Sequence, residues 1–156
     1  MTNLTQLYQS KLISIEKAVS FLKSDTDVIV AQCASEPQGC MSKFHLSKDN
    51  VHDVKVFSVF TLKPDDFYMK PEMKRHFELC SWFHAPGSRQ AIKAGAGTVT
   101  FVPNMLHRAA IDRLKVRRPH MFFGTCTPPD ENGFVSLSLG ITYEKDIIEA
   151  AEMSVA

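Results

Sequence analysis

Asp27-Val-Ile-Val-Ala-Gln-Cys33 is a continuous apolar run rich in β-branched residues, and Ala34-Ser-Glu-Pro37 follows it. A strand wet on one face alternates apolar with polar residues. This run does not, so it fits a strand covered on both faces, as in a parallel sheet. Val54-Lys-Val-Phe-Ser-Val-Phe60, Glu78-Leu-Cys-Ser-Trp-Phe83, Thr98-Val-Thr-Phe-Val102 and His120-Met-Phe-Phe-Gly-Thr-Cys126 resemble it, and Phe134-Val-Ser-Leu137 is a shorter sixth.

Helical stretches separate these runs. Ser14 is placed to cap a helix with Ile15, Ala18, Val19 and Leu22 on one face. Pro37 suits the first turn of a second helix, which turns Cys40, Met41 and Phe44 to the core. Ser88 opens a third, through Ala91 and Ile92, that Gly95 closes. Leu106, Ala109, Ala110 and Leu114 form a fourth stripe. Thr142 is read as the cap of a last helix in which Ile147, Ile148, Ala151 and Val155 share a face. That helix is expected to run to Ala156, as a native terminal helix or a chain cut in mid-domain would. Residues 63–77 hold two prolines and read as a loop with one helical turn. The β-then-α order predicts an α/β fold: a mostly parallel sheet flanked by helices on both faces, joined by right-handed crossovers.

A chain of 156 residues suits one domain, and 44% hydrophobic with 22% charged residues excludes general disorder. Lys and Arg number 18 against 17 Asp and Glu, without the basic excess of a nucleic-acid binder. No apolar run approaches the roughly 20 residues of a membrane helix, and Met1 to Ser10 has no apolar core of a signal peptide. Cys33, Cys40, Cys80 and Cys126 show no CxxC pairing. They read as buried free thiols in a reducing cytosol, the alternative being two disulfides in a secreted chain.

Several motifs carry little chemistry. Gly95-Ala96-Gly97 follows a helix and precedes a strand, the reverse of a dinucleotide loop, so it reads as a cap and turn. The six histidines include no HxH or HExxH pair, and no metal is expected. Arg113-Leu-Lys-Val-Arg-Arg118 reads as the solvated last turn of a helix rather than a phosphate site.

Two loops carry more. Gln32-Cys-Ala-Ser-Glu-Pro37 leaves the carboxyl end of the first strand, where open α/β sheets bind ligands. It reads equally as a capped turn or as a ligand loop with Gln32 and Glu36 as polar handles. In Thr127-Pro-Pro-Asp-Glu-Asn-Gly133 two prolines stiffen the chain, and Asp130, Asn132 and Gly133 supply turn chemistry. It is either a wall of the same cleft or a good turn and no more.

With these stretches in hand, the chain resembles the N-terminal half of the acetyl-CoA hydrolase/transferase family, within the family I CoA-transferases, and especially its 4-hydroxybutyrate CoA-transferase branch. The similar stretches are Ala31-Gln-Cys-Ala-Ser-Glu-Pro37, Trp82-Phe83 with Ser88-Arg89, Phe101-Val-Pro103 and Pro128-Pro-Asp-Glu-Asn-Gly-Phe134. Thr61-Leu62 and Lys70-Pro-Glu72 lie in register between them, and Thr142-Tyr143 follows the last.

The resemblance implies a cytosolic enzyme of at least twice this length, built from two similar α/β halves, of which residues 1–156 are the first. It implies transfer of CoA between an acyl-CoA and a free carboxylate through a glutamyl-CoA thioester, with the CoA thioester as substrate and no bound cofactor. The nucleophilic glutamate belongs to the C-terminal half. No residue here matches it, so no catalytic residue is assigned, and Glu36 is not a substitute. Gln32 stands where the hydroxybutyrate branch has a histidine lining the substrate pocket, and Val59 where it has a methionine; both departures bear on acyl specificity. Glu36, Pro37, Pro129, Asp130, Asn132 and Gly133 match the pattern as elements shaping the cleft between halves. The expected partners are the small-molecule acyl-CoA and carboxylate, the C-terminal half of the same protein and further copies in a homo-oligomer, with no nucleic acid and no membrane. Acyl-CoA hydrolysis, with water as acceptor, and a non-catalytic truncated binding module are the competing functions.

Overall fold

Val28, Ile29 and Val30 expose no surface in the computed structural model, which describes residues 4–137 and 139–156. Met1 to Asn3, the first part of the Met1–Ser10 stretch without a signal-peptide core, and Ser138 lie outside the described residues. The three buried residues belong to β1 (Asp27–Val30), which pairs in parallel with β2 (Val54–Ser58) on one side and β5 (Met121–Phe123) on the other. With β3 (Phe77–Ser81), β4 (Val99–Phe101) and β6 (Met153–Val155) the sheet has six strands in the order β4-β3-β2-β1-β5-β6. Every neighbouring pair is parallel, as the unbroken apolar runs require.

Successive side chains of a strand point to opposite faces, so each central strand feeds two cores. Val28, Val30, Val56, Leu79 and Phe123 pack with Phe44 and Phe67 on one face. Residues of α2 (Ile15–Val19), α3 (Gln38–Met41), α4 (Asp66–Met69) and α5 (Pro86–Lys93) complete that core. Ile29, Phe57, Trp82 and Phe122 face the other way, against α6 (Ala109–Val116) and α7 (Glu144–Ala150). Each large side chain so buried contributes about 1.5–3 kcal/mol, and helices lie on both faces as the sequence predicts. The first helix, α1 (Leu4–Lys11), fully buries no residue. Ser14 caps α2, its Oγ accepting from Lys17 N at 3.2 Å, and Gly95 ends the α5 region at φ +69°. Among the described residues no helix is long and apolar enough to cross a membrane.

The sixth strand is not where the sequence placed it. Residues 134–137 join no ladder; they fold back in a loop, with Thr127 N donating to Ser136 O at 2.9 Å and Asp130 N to Phe134 O at 2.9 Å. The strand is instead Met153–Val155, inside the stretch read as the last helix. Arg118 stops that helix from 32 residues away: its Nε donates to Ala150 O at 2.6 Å, and Ala151 turns extended at ψ 149°. Met153 then pairs with Met121. The local pattern holds no sign of a cap supplied from so far away.

Other expectations shift for similar reasons. The third helix starts at Pro86, and residues 63–77 hold α4, a 3₁₀ turn at Pro71–Met73 and the first residue of β3. Leu106 lies on a 3₁₀ turn before α6 and is exposed. Of the four thiols expected to be buried, all are free but Cys80 alone is buried; Cys33 is exposed, and Cys40 and Cys126 are half-buried. The basic run is less solvated than read. Arg113 is 9% exposed and ion-paired with Asp27, and Arg117 donates to Asp25 O at 2.6 Å.

Candidate functional site

The strand order reverses between β1 and β5, and in such sheets ligands bind beyond the carboxyl ends of the strands at that point. Two loops leave there. The β1 loop is fastened to its neighbours: Cys33 N donates to Phe60 O at 3.3 Å, and Thr125 Oγ1 donates to Ser35 O at 3.3 Å. Cys33 holds φ +50°, a left-handed conformation that costs a non-glycine residue about 1 kcal/mol or more. The turn swings Gln32 to the rim of a cleft of about 280 Å³. Val59, Phe60, Trp82, Phe83 and Met105, from the ends of β2 to β4, give it apolar walls.

Gln32 is fixed from across the sheet. Its Nε2 donates to Thr142 Oγ1 at 2.7 Å, and its backbone N donates to Glu144 Oε1 at 3.4 Å. Glu144 is 1% exposed, and its Oε2 accepts from the backbone N of Thr142 at 2.8 Å and of Tyr143 at 3.0 Å. Tyr143 Oη donates to Val30 O at 2.7 Å, and its ring meets Trp82 edge-on at 5.4 Å. Thr142 is therefore not the helix cap predicted. Tyr143 occupies that position without a side-chain cap, and the Thr142 hydroxyl is left for Gln32. No sequence pattern marks this network, since its partners lie about 110 residues apart.

Glu36 lies behind the β1 loop, 5% exposed. Its Oε2 accepts from Leu62 N at 2.9 Å, which ties the β1 loop to the segment after β2, while its Oε1 has no partner among the described residues. Burial pushes its carboxyl up to about 7, with the Leu62 N–H opposing and Asp65 adding to the rise. Asp65 is itself pushed up to about 6, by burial first and then by Asp66. Pro37 is buried and precedes α3.

The second loop stands apart from that cleft. Asp130 Oδ1 accepts from Asn132 N at 2.9 Å and Phe134 N at 2.8 Å, and Gly133 turns the chain at φ +86°. Asp130 and Asn132 are thus turn-formers, both exposed. Pro129 and Gly133 line a larger hollow, of about 540 Å³, with Leu4 and Leu7 of α1 and Cys126. The structure brings Gln32 and Val59 together and groups Pro129 and Gly133 elsewhere, so the two loops do not wall one cavity.

Chemically, the cleft is a largely apolar slot lined by two carboxamides, Gln32 held by Thr142 and Asn104 whose Oδ1 accepts from Met105 N at 2.7 Å. The Cys33 thiol beside it is raised by burial first and then by Glu36 and Glu144, which keeps it neutral and a poor nucleophile. Asp25, His52 and Asp53 bring ligand atoms within 4.8 Å of one another, but at the exposed amino ends of β1 and β2, away from the cleft.

The family model for the acetyl-CoA hydrolase/transferase N-terminal domain matches residues 1–156. The chain is 25% identical over 158 residues to a 4-hydroxybutyrate coenzyme A transferase of Clostridium kluyveri, covering 97% of this chain and 35% of that protein. It is 26% identical over 146 residues to a succinyl-CoA:cyclohexane-1-carboxylate CoA transferase of Geobacter metallireducens, covering 93% and 32%. The chain thus spans about a third of the length of the curated relatives it matches. The crystal structure of RipA from Yersinia pestis shares its fold with a TM-score of 0.87 at 24% identity, over 98% of this chain and 37% of that one. A 4-hydroxybutyrate CoA-transferase structure from Porphyromonas gingivalis has a TM-score of 0.66 at 17% identity, over 97% and 34%.

Proposed function

Since the chain belongs to the acetyl-CoA hydrolase/transferase family as its N-terminal domain, we propose that it forms the acyl-binding half of an acyl-CoA:carboxylate CoA-transferase acting on short acyl groups of the hydroxybutyrate, butyrate or acetate kind. The observation that carries this reading is the apolar cleft at the carboxyl ends of β1 to β3, walled by Val59, Trp82 and Phe83 and closed by Gln32. A slot of about 280 Å³ suits a short acyl chain, and apolar walls with a few directional polar groups, here Gln32 and Asn104, are the ordinary composition of a small-molecule site.

The covalent step belongs to a glutamate outside these residues: its carboxylate attacks the thioester carbonyl and expels CoA thiolate to give an acyl-glutamyl anhydride. The thiolate attacks the glutamyl carbonyl and expels the donor's free carboxylate, and the acceptor carboxylate takes CoA from the resulting glutamyl thioester by the reverse steps. Within residues 1–156 the chemistry is binding and exclusion of water. The apolar walls disfavour water at the reacting carbonyl, which favours the carboxylate acceptor over hydrolysis. The thioester, the acceptor carboxylate, a C-terminal half and further copies of the protein are the partners in this reading, and the cytosol is its compartment.

The protein that carries this domain, supplied with butyryl-CoA, should form acetyl-CoA when acetate is present and release little free CoA without it. Equal CoA release with and without acetate would make it a hydrolase. No reaction in either case would leave a binding module.

A further inference from the structure

We propose that Thr142 is a positioning residue for acyl selection: it holds the Gln32 carboxamide over the mouth of the apolar cleft, so that the cleft prefers an acyl chain ending in a hydrogen-bonding group to a plain alkyl chain. The inference rests on the reading of this cleft as an acyl site and names what tunes it.

A glutamine side chain has three rotatable bonds, and at a rim it samples many orientations unless something holds it. Here one of its two Nε2 hydrogens is taken by Thr142 Oγ1 at 2.7 Å. The backbone beneath is held as well, Gln32 N donating to the same buried Glu144 that fixes Thr142 N and Tyr143 N. Both ends of the contact are therefore anchored to one carboxylate, and the Thr142 hydroxyl has no capping duty on α7. Among the described residues no protein group takes the Gln32 Oε1, which leaves an acceptor and the second Nε2–H for a ligand. Most of the remaining wall is apolar, with Val59, Phe60, Trp82, Phe83, Met105 and Leu106; Asn104 is its second carboxamide, with Oδ1 already accepting from Met105 N at 2.7 Å. A hydroxyl or carbonyl at the chain end would then replace its lost water contacts at the Gln32 carboxamide, which Thr142 holds, or at Asn104. An alkyl end would instead leave the held amide poorly solvated, a cost that sets selectivity.

The test uses the 156-residue chain labelled with ¹⁵N, with butyryl-CoA and 3-hydroxybutyryl-CoA as probes, and compares wild type with Thr142→Val and Thr142→Ser. Spectral dispersion shows first that each variant is folded. Thr142→Val should move the Gln32 side-chain amide pair toward the shifts of a freely rotating glutamine and lower the preference for the hydroxyacyl probe by about three- to tenfold, the value of one hydrogen bond. Thr142→Ser should restore both. An unmoved Gln32 amide pair in Thr142→Val overturns the positioning role whatever the probes do. A moved amide pair with an unchanged affinity ratio overturns the link to selection. Wild type that binds neither probe overturns the acyl-site reading, and the selection role with it.

Discussion

Arg113, on α6, forms an ion pair with Asp27 at the start of β1 and lies over the Phe57 ring of β2, its guanidinium carbon 4.3 Å from the ring centroid. Arg113 is 9% and Asp27 4% exposed, so the pair crosses from helix to sheet out of water. Removing one partner strands a buried charge. Arg113→Ala should cost about 3–5 kcal/mol in a urea unfolding experiment, and Arg113→Met with Asp27→Leu should recover most of it. A loss under about 1 kcal/mol for Arg113→Ala would show that the pair does not hold α6 to the sheet.

Glu36 and Asp65 give stability a pH dependence of definite sign. Their carboxyls are pushed up to about 7 and about 6 in the folded chain, above their ordinary values of 4.5 and 3.8. The folded state therefore holds more protons than the unfolded state between those limits, and stability falls as pH rises from about 4 through 7 before levelling. Urea midpoints at pH 5, 6, 7 and 8 should decline in that order, and Glu36→Gln should flatten the part between pH 5 and 7. Midpoints that rise over this interval would contradict the burial of these carboxyls.

Gly133 sits at φ +86°, where a side chain is strained, and a Cβ there would meet Leu4 Cδ2 of α1 at 3.3 Å. Gly133→Ala should cost about 1–2 kcal/mol and loosen α1, read as faster amide exchange at Leu4 and Leu7. A cost near zero would mean that the loop re-forms without its left-handed turn.

Gln32→Ala in the protein that carries this domain should change the ratio of kcat/KM between butyryl-CoA and 3-hydroxybutyryl-CoA while lowering the free energy of unfolding by no more than about 0.5–1.5 kcal/mol, the value of the one hydrogen bond lost to Thr142. An unchanged ratio would remove Gln32 from the acyl site.

The parallel sheet was legible because both faces of β1, β2 and β5 are buried, which forces unbroken apolar runs such as Val28-Ile-Val30. The loop at Gln32 was legible as one leaving the carboxyl end of the first strand, but that the strand order reverses beside it shows only in the fold. The edge strand β6 was not. It has three residues, two of them exposed, and follows a helix that Arg118 ends from another part of the chain. The hold of Thr142 on Gln32 was hidden too: Thr142 satisfies the local rule for a helix cap, and only the fold shows its hydroxyl turned elsewhere. Local patterns fixed what burial dictates and missed what single long-range hydrogen bonds decide.

Trp82 is the only tryptophan of the chain and lines the cleft proposed for the acyl group, so its emission tests directly whether this domain binds that group while holding no nucleophile. The purified 156-residue chain is titrated with butyryl-CoA in the presence of acetate, and Trp82 emission and free CoA are read from the same sample. A saturable change in emission is expected with no CoA released above the blank, since loss of a covalent nucleophile costs up to roughly a millionfold in rate in a serine protease. Release of CoA in proportion to the chain, or emission that does not respond to butyryl-CoA at all, would contradict it.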